Sequence, residues 1–172
     1  KKNLRLITIS RDDVIANTKE IIKSSFNGFL IQDKDISFND NFEYQIVSNK
    51  KPNKVELKAL HLSWKLVKYV KSNAIIFSND IHLLGVGAGQ MSRVDSVKLA
   101  IRKSKENQLN LDGAVMASDA FFPFPDCITL AKEVGIAGVI QPGGSINDQK
   151  VIDEINRLDM YMVITNKRHF CH

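Results

Sequence analysis

From Asn73 onward, short apolar runs of strand length alternate with segments of helical period, and this alternation constrains the fold more than any other feature of the chain. Ala74–Phe77 reads as a strand, Asn79-Asp80 as a turn and His82–Val86 as a second strand, so this pair could form a hairpin. A helix follows from about Ser92, with Val94, Val97 and Ile101 on one side. Then come strand Gly113–Ala117, helix Asp126–Val134, strand Gly138–Ile140, helix Asn147–Leu158 and strand Tyr161–Ile164. Repetition at this spacing implies right-handed crossovers and parallel strands covered by helices. The expected fold class is α/β, a three-layer α/β/α arrangement with a mixed, partly parallel sheet. In open sheets of this kind ligands gather outside the carboxyl ends of the parallel strands. Ser118-Asp119, Gln141–Ser145 and Thr165–His172 each follow such a strand, so all three are expected on one rim.

The first third is less decisive. Leu4–Ile9 alternates as a half-buried strand would, and Gly28–Gln32 and Phe42–Val47 are further strand candidates. Val14–Phe26 is ambiguous: a helix is possible, but the segment is β-branched and lacks a stop signal. Ser48–Lys54, with Pro52, reads as a loop entering a helix capped by Asn53. Leu57, Leu60, Trp64 and Val67 give that helix one apolar face, with Lys58, Lys65 and Lys68 largely away from it.

A length of 172 residues fits one domain that buries roughly 70% of its unfolded surface. No apolar run approaches the roughly 20 residues of a membrane span, and no secretory pattern opens the chain, so a cytoplasmic protein without a membrane partner is expected. Lys1 is not Met and residues 1–9 read as a strand already under way, which suggests a piece of something longer. Cys127 and Cys171 have no partners at ligand spacing, so neither a disulfide nor a zinc site is indicated. The net charge of +5 is spread along the chain, which favours phosphate-bearing small ligands over nucleic acid.

Four constellations carry chemistry. Gly85–Arg93 is either a glycine loop cradling an anion at a helix start or a tight strand-to-helix turn. Arg93 opposes the helix dipole, so a carboxylate or a ligand should hold it. In Ser118–Asp126, the rings Phe121, Phe122 and Phe124 with two prolines cannot all follow one face, so at least one should be exposed or line a cleft. Asp119 is there either a solvated loop acid or a ligand group, and Asp126 either a helix N-cap or a ligand group. Gln141–Ser145 is either a loop ending in an ordinary helix entry or a place where backbone amides and the Ser145 hydroxyl approach a polar ring or carboxylate closely, because Gly143 and Gly144 carry no side chain. At the end of the chain, Arg168 offers a planar fork for phosphate or carboxylate, with a frayed basic tail as the competing picture.

Val70–Ala74, Gly85–Arg93, Ser118–Phe124, Gln141–Ser145 and Arg168–His172 together resemble the carboxy-terminal part of the bifunctional purine biosynthesis proteins. These combine aminoimidazole carboxamide ribotide formyltransferase with inosine monophosphate (IMP) cyclohydrolase. The resemblance implies that residues 1–172 form the second of two cytidine-deaminase-like subdomains of the formyltransferase region, without the cyclohydrolase domain and without the first subdomain. It implies folate-dependent formyl transfer from 10-formyltetrahydrofolate to 5-aminoimidazole-4-carboxamide ribotide, in a homodimer. The adjacent Lys-His pair of the first subdomain, the source of the proton acceptor, does not occur in the chain, so this part should bind but not catalyse alone.

By motif, Asn73, Arg93, Phe121, Arg168 and Phe170 fall where the ribotide is bound, with Asn73 orienting the carboxamide. Pro123, Phe124, Asp126, Pro142, Gly143 and Gly144 fall where the pterin is held. Val70, Ser72, Asp119 and His172 fall near a potassium ion. Two positions depart from the family pattern: Pro125 replaces an arginine, and Cys171 stands where arginine or histidine is common. The alternative reading is a non-catalytic nucleotide-binding or regulatory module. A zinc deaminase would need H-x-E and P-C-x-x-C, and neither occurs.

Overall fold

The computed structural model describes residues 5, 7–10, 20–35, 43–169 and 171. Length argued for one domain, but the chain divides into two compact units, 1–40 and 41–172. In the first, β1 (Glu20–Ser25) pairs antiparallel with β2 (Gly28–Asp33), Ser25 standing opposite Gly28. This excludes a helix from the second half of Val14–Phe26. The β-branched pair Ile21-Ile22 favours strand, and Asn27-Gly28 is a hairpin signal within reach of it. Residues 14–19 lie outside the described set. Of Leu4–Ile9, Arg5 and Ile7–Ile9 are described and form no strand, with Ile7 and Ile9 exposed.

The second unit is the α/β sandwich. Its elements are β3 (Gln45–Ile46), α1 (Lys54–Val67), β4 (Ile75–Ser78), β5 (Leu83–Gly87), α2 (Arg93–Glu106), β6 (Val115–Ser118), α3 (Asp126–Glu133), β7 (Gly138–Gln141), α4 (Asp148–Arg157) and β8 (Tyr161–Ile164). The sheet order is β3-β8-β7-β6-β4-β5. Strands β6, β7 and β8 are mutually parallel, while β4 runs antiparallel to both β6 and β5, and β3 antiparallel to β8. Of the expected strand Phe42–Val47 only Gln45-Ile46 pairs as strand, and Phe42 lies outside the described residues.

Period-two alternation sorts the strands between two cores. Ile75, Phe77, Met116, Val139 and Met162 face one side, against Val97 and Ala100 of α2, Cys127, Ile128 and Ala131 of α3, and Val151 and Ile155 of α4. Ile76, Val115, Ala117, Ile140, Tyr161 and Val163 face the other, against Ala59, Leu60, Trp64 and Val67 of α1. Helices on both faces make the expected three layers.

Local chemistry explains the helix starts. Asn53 Oδ1 accepts from the Val55 and Glu56 amides at 2.8 and 3.0 Å, and Glu56 Oε2 accepts from the Asn53 amide at 2.6 Å, a complete capping box. Lys58 and Lys65 are exposed as expected, whereas Lys68 is half-buried, with its Nζ 5.7 Å from the Tyr69 ring centre. Ser92 caps α2 through the Asp95 amide at 3.1 Å. Asp126 is not an N-cap: Pro125 takes that place and Asp126 is the first helical residue, accepting from the Cys127 amide at 2.8 Å. Among the described residues no helix is long and apolar enough to cross a membrane.

Candidate functional site

Strand directions bring five strand ends to one rim. The carboxyl ends of β6, β7 and β8 lie side by side because those strands are parallel. Ile75, the first residue of β4, stands opposite Ser118, the last of β6, and also opposite Gly87, the last of β5. The strap 70–74, the loop 88–92, the turn 119–125, the loop 142–147 and the segment 165–171 therefore all leave the sheet on that rim.

At its centre is a closed polar network around Asp119, which is buried and not a solvated loop acid. Its carboxylate accepts from the Ala74 amide at 3.2 Å, from Arg93 Nη2 at 2.9 Å and from the Ser72 hydroxyl. Its main-chain oxygen accepts from the His169 amide at 3.0 Å. Arg93 also donates from Nε to Ser118 Oγ at 3.1 Å and from Nη1 to Asn73 Oδ1 at 3.0 Å. The cation placed against the helix dipole is thus held by a carboxylate, and three of its five N–H donors are engaged within the chain. Asn73 is fixed on its other side as well, since Nδ2 donates to the Gln90 carbonyl at 2.9 Å and its own carbonyl accepts from Ser96 Oγ at 2.7 Å. These opposed partners determine which end of the amide is oxygen, and they leave one N–H directed elsewhere.

The glycines of the loop serve the chain itself. A Cβ on Gly87 would lie 1.9 Å from the Ser96 carbonyl oxygen and one on Gly85 2.4 Å from Ser104 Oγ, so both glycines serve the close approach of β5 to α2. The Gly89 amide is spent on the Lys71 carbonyl at 2.8 Å. The amides of Gly144 and Ser145 are likewise consumed, both donating to Asp148 Oδ2 at 2.7 and 3.1 Å, and Ser145 Oγ accepts from the Asn147 amide. The expectation that they reach toward a ligand ring is corrected to a self-closed helix entry. Gly143 and Gly144 keep a different use: both have positive φ, and a Cβ on Gly144 would meet Arg168 Nη2 at 3.5 Å.

The three phenylalanines separate as their sequence context requires. Phe122 is core, Phe121 is half-buried and Phe124 is 59% exposed. The Phe122 amide donates to Gln141 Oε1 at 2.9 Å, and the Pro123 carbonyl accepts from Asn147 Nδ2 at 3.0 Å, so the turn is tied to both neighbouring loops. Pro123 is half-buried, Asp126 exposed and Pro142 buried. Arg168 is exposed, with Cζ 4.9 Å from the Phe121 ring centre, a cation–π distance. The segment around it is not frayed. Thr165 and Asn166 amides donate to Gln141 and Pro142 carbonyls at 3.0 Å, His169 packs on Trp64 with ring centres 4.3 Å apart, and the Cys171 carbonyl accepts from the Ser72 amide at 2.9 Å. Phe170 and His172 lie outside the described residues. Val70 is half-buried where the strap leaves α1, its amide donating to Val67.

Cys127 lies under the network. Burial pushes its thiol up to about 12, the neighbouring Asp126 carboxylate adds to that, and Arg93 opposes it weakly. It is a core thiol, not a nucleophile.

With the geometry set out, comparison with known proteins places it in a family. A family profile for the AICARFT/IMPCHase bienzyme matches residues 1–103. The chain belongs to that family. The bifunctional purine biosynthesis protein PurH of Desulfitobacterium hafniense is 45% identical over 172 residues, which is 100% of this chain and 33% of that protein. The family member of the same name from Limosilactobacillus reuteri is 44% identical with the same coverage. The chain thus spans about a third of the length of these curated relatives. Among solved structures, RibD of Acinetobacter baumannii aligns with a TM-score of 0.42 at 15% identity, covering 64% of this chain and 34% of that one.

Sequence reasoning named Asn73, Arg93, Asp119, Phe121 and Arg168 separately, and the structure brings them to one rim in two groups, Asn73–Arg93–Asp119 and Phe121–Arg168. It missed Ser118, Gln90 and Gln141 as individual partners. A buried polar residue ending an apolar strand is the signal that points to Ser118 and Gln141, since such a side chain needs a partner nearby. Nothing local marks Gln90, whose carbonyl does the work.

Proposed function

We propose that this chain is the carboxy-terminal part of a purine biosynthesis enzyme and supplies the ribotide- and folate-binding rim for formyl transfer from 10-formyltetrahydrofolate to 5-aminoimidazole-4-carboxamide ribotide. The observation that carries the reading is the convergence of a locked Asn73–Arg93–Asp119 network and a pair formed by half-buried Phe121 and exposed Arg168 beside it, in a chain whose relatives are named for purine biosynthesis.

The ribotide amine is a weak nucleophile because its lone pair is delocalised toward the neighbouring carboxamide, so orientation matters more than affinity. In the reaction the amine nitrogen bonds to the formyl carbon and the carbonyl electrons move to oxygen. Collapse then breaks the bond to the folate N10, which gains a proton while the amine loses one. Asn73 offers its remaining N–H to the carboxamide oxygen, and Arg93 keeps that amide from turning. Arg168 holds the anionic part of the nucleotide and Phe121 faces the imidazole, a role the resemblance also gives Phe170. Pro123, Phe124 and Asp126, with Pro142, Gly143 and Gly144, form the pterin wall.

Among the described rim residues the one imidazole, His169, is buried against Trp64, so the proton acceptor is assigned to the part of such proteins that this chain does not cover. By the resemblance, a potassium ion would be held at the strap by Asp119 with oxygens of Val70 and Ser72, and by His172. A carboxylate has about four acceptor sites and three of Asp119's are used within the chain, which leaves one for such an ion. Such an ion would supply fixed positive charge that steadies the strap. In the working enzyme the reading implies a second copy of the protein as partner.

Calorimetric titration of the ribotide into the chain tests this. Saturable binding that disappears in Arg168→Ala, with formyl transfer restored on adding the remaining two thirds of a relative, is the expected result. Absence of both binding and restored transfer overturns it.

A further inference from the structure

We propose that Gln141 is the positioning residue that sets the Phe121–Arg168 pair, an inference that rests on the ribotide reading of that pair. Gln141 ends β7 between the two strands whose following segments carry Phe121 and Arg168. Its side chain is fully buried. Oε1 accepts from the Phe122 amide at 2.9 Å, which fixes the peptide plane joining Phe121 to Phe122 and hence the direction in which the Phe121 ring leaves the turn. Its backbone carbonyl accepts from the Thr165 amide at 3.0 Å and so anchors the first residue of the segment that leads to Arg168. One residue therefore holds both halves of the pair, by side chain on one side and by main chain on the other.

The amide is poorly used otherwise. Nε2 reaches only the Met162 thioether at 3.8 Å, a weak acceptor. A methionine or leucine would fill the same space without burying an underused donor, so packing alone does not explain a glutamine here. What the amide adds is an acceptor for the Phe122 N–H at that reach, and the residue on its far side is Phe121, whose ring lies 4.9 Å from the Arg168 guanidinium.

The experiment has a ligand-free arm and a ligand arm. In the wild-type chain, the Arg168 side-chain proton signals should be displaced by the ring current of Phe121. Gln141→Met should abolish that displacement and Gln141→Glu, which keeps an acceptor oxygen at the same reach in either protonation state, should keep it. Displacement unchanged in Gln141→Met overturns the inference whatever the ligand does. In the ligand arm Gln141→Met should weaken ribotide binding about tenfold, the scale expected when a cation–π pair is misplaced. Gln141→Glu should restore it. In a Phe121→Leu background the same Gln141→Met change should have no further effect on affinity, although it lowers the melting temperature in both backgrounds. Equal losses of affinity in both backgrounds would show a merely structural glutamine and also overturn the inference. If the wild type shows the ring-current displacement but takes up no ribotide, the functional reading fails while the positioning role of Gln141 stands.

Discussion

Replacing Asp119 by Asn removes one charge and almost no volume, and the consequences can be worked from its partners. The Asn carbonyl can still accept from the Ala74 amide and from Arg93, and the Ser72 hydroxyl can turn to accept from the new amide. What is lost is the counter-charge of Arg93, whose side chain is only 13% exposed beside a carboxylate that is 1% exposed. Stranding one member of a buried pair typically costs about 3–5 kcal/mol. Arg93 keeps two neutral acceptors, Ser118 Oγ and Asn73 Oδ1, which argues for the lower end, about 3 kcal/mol. For a chain of this size that corresponds to a fall in melting temperature of roughly 6–12 °C, followed by far-ultraviolet circular dichroism. Arg93→Met combined with Asp119→Asn removes both charges, so the double variant should be more stable than the sum of the single changes predicts, by about 2 kcal/mol of coupling. Additivity within about 0.5 kcal/mol would show that the two charges do not depend on one another, and the account of the rim as a pre-neutralised network would be wrong.

Gly87→Ala should destabilise the chain by about 3 kcal/mol or more in urea titration, because its Cβ meets the Ser96 main chain at 1.9 Å, whereas Gly113→Ala, with open space but φ of +75°, should cost only about 1–2 kcal/mol. At pH 8 an aromatic disulfide reagent should titrate one thiol in the folded chain, the exposed Cys171, and reach Cys127 only in denaturant. Since burial raises the Cys127 thiol from 9.0 to about 12, the unfolded chain ionises there first, so the contribution of this residue is intact below pH 9 and declines as pH rises toward 12; Cys127→Ala should flatten that decline in pH-dependent melting curves. Arg168→Lys should weaken ribotide binding by about 1.5–3 kcal/mol in calorimetry, because an ammonium cannot reproduce the planar fork or its stacking on Phe121. Unchanged affinity would remove Arg168 from the nucleotide site.

The sandwich was legible because its central strands are buried on both faces. Val115–Ser118, Gly138–Gln141 and Tyr161–Ile164 have no solvent side to soften the apolar run, and each is followed by helix or loop residues that leave no competing period. The common rim followed from parallel direction alone. Of the β1–β2 hairpin, Gly28–Gln32 read as a strand, but Glu20–Ser25 could not be told from a helix, since its side chains are largely exposed and it lacks the buried-face pattern that identifies a strand from a distance.

The same distinction divides the site. Arg93 announced that it needed a partner, because a cation in a first helical turn opposes the dipole, but its partner 26 positions away became visible only once β4 was known to run antiparallel between β5 and β6. Residue type left Asp119 between a solvated acid and a ligand group, and the Gly85–Arg93 loop between an anion cradle and a tight turn. Asp119 is engaged by Ser72 and Ala74, and Gly85 and Gly87 pack against Ser104 and Ser96, partners that the sequence does not place beside them, whereas Ser145 is closed by its near neighbours Asn147 and Asp148. Polar groups that a sequence motif presents as free for a ligand must first be checked against their own chain. At this rim the exposed Arg168, one N–H of Asn73 and the half-buried ring of Phe121 stay open, while Arg93 and Asp119 form the frame that holds Asn73 in place.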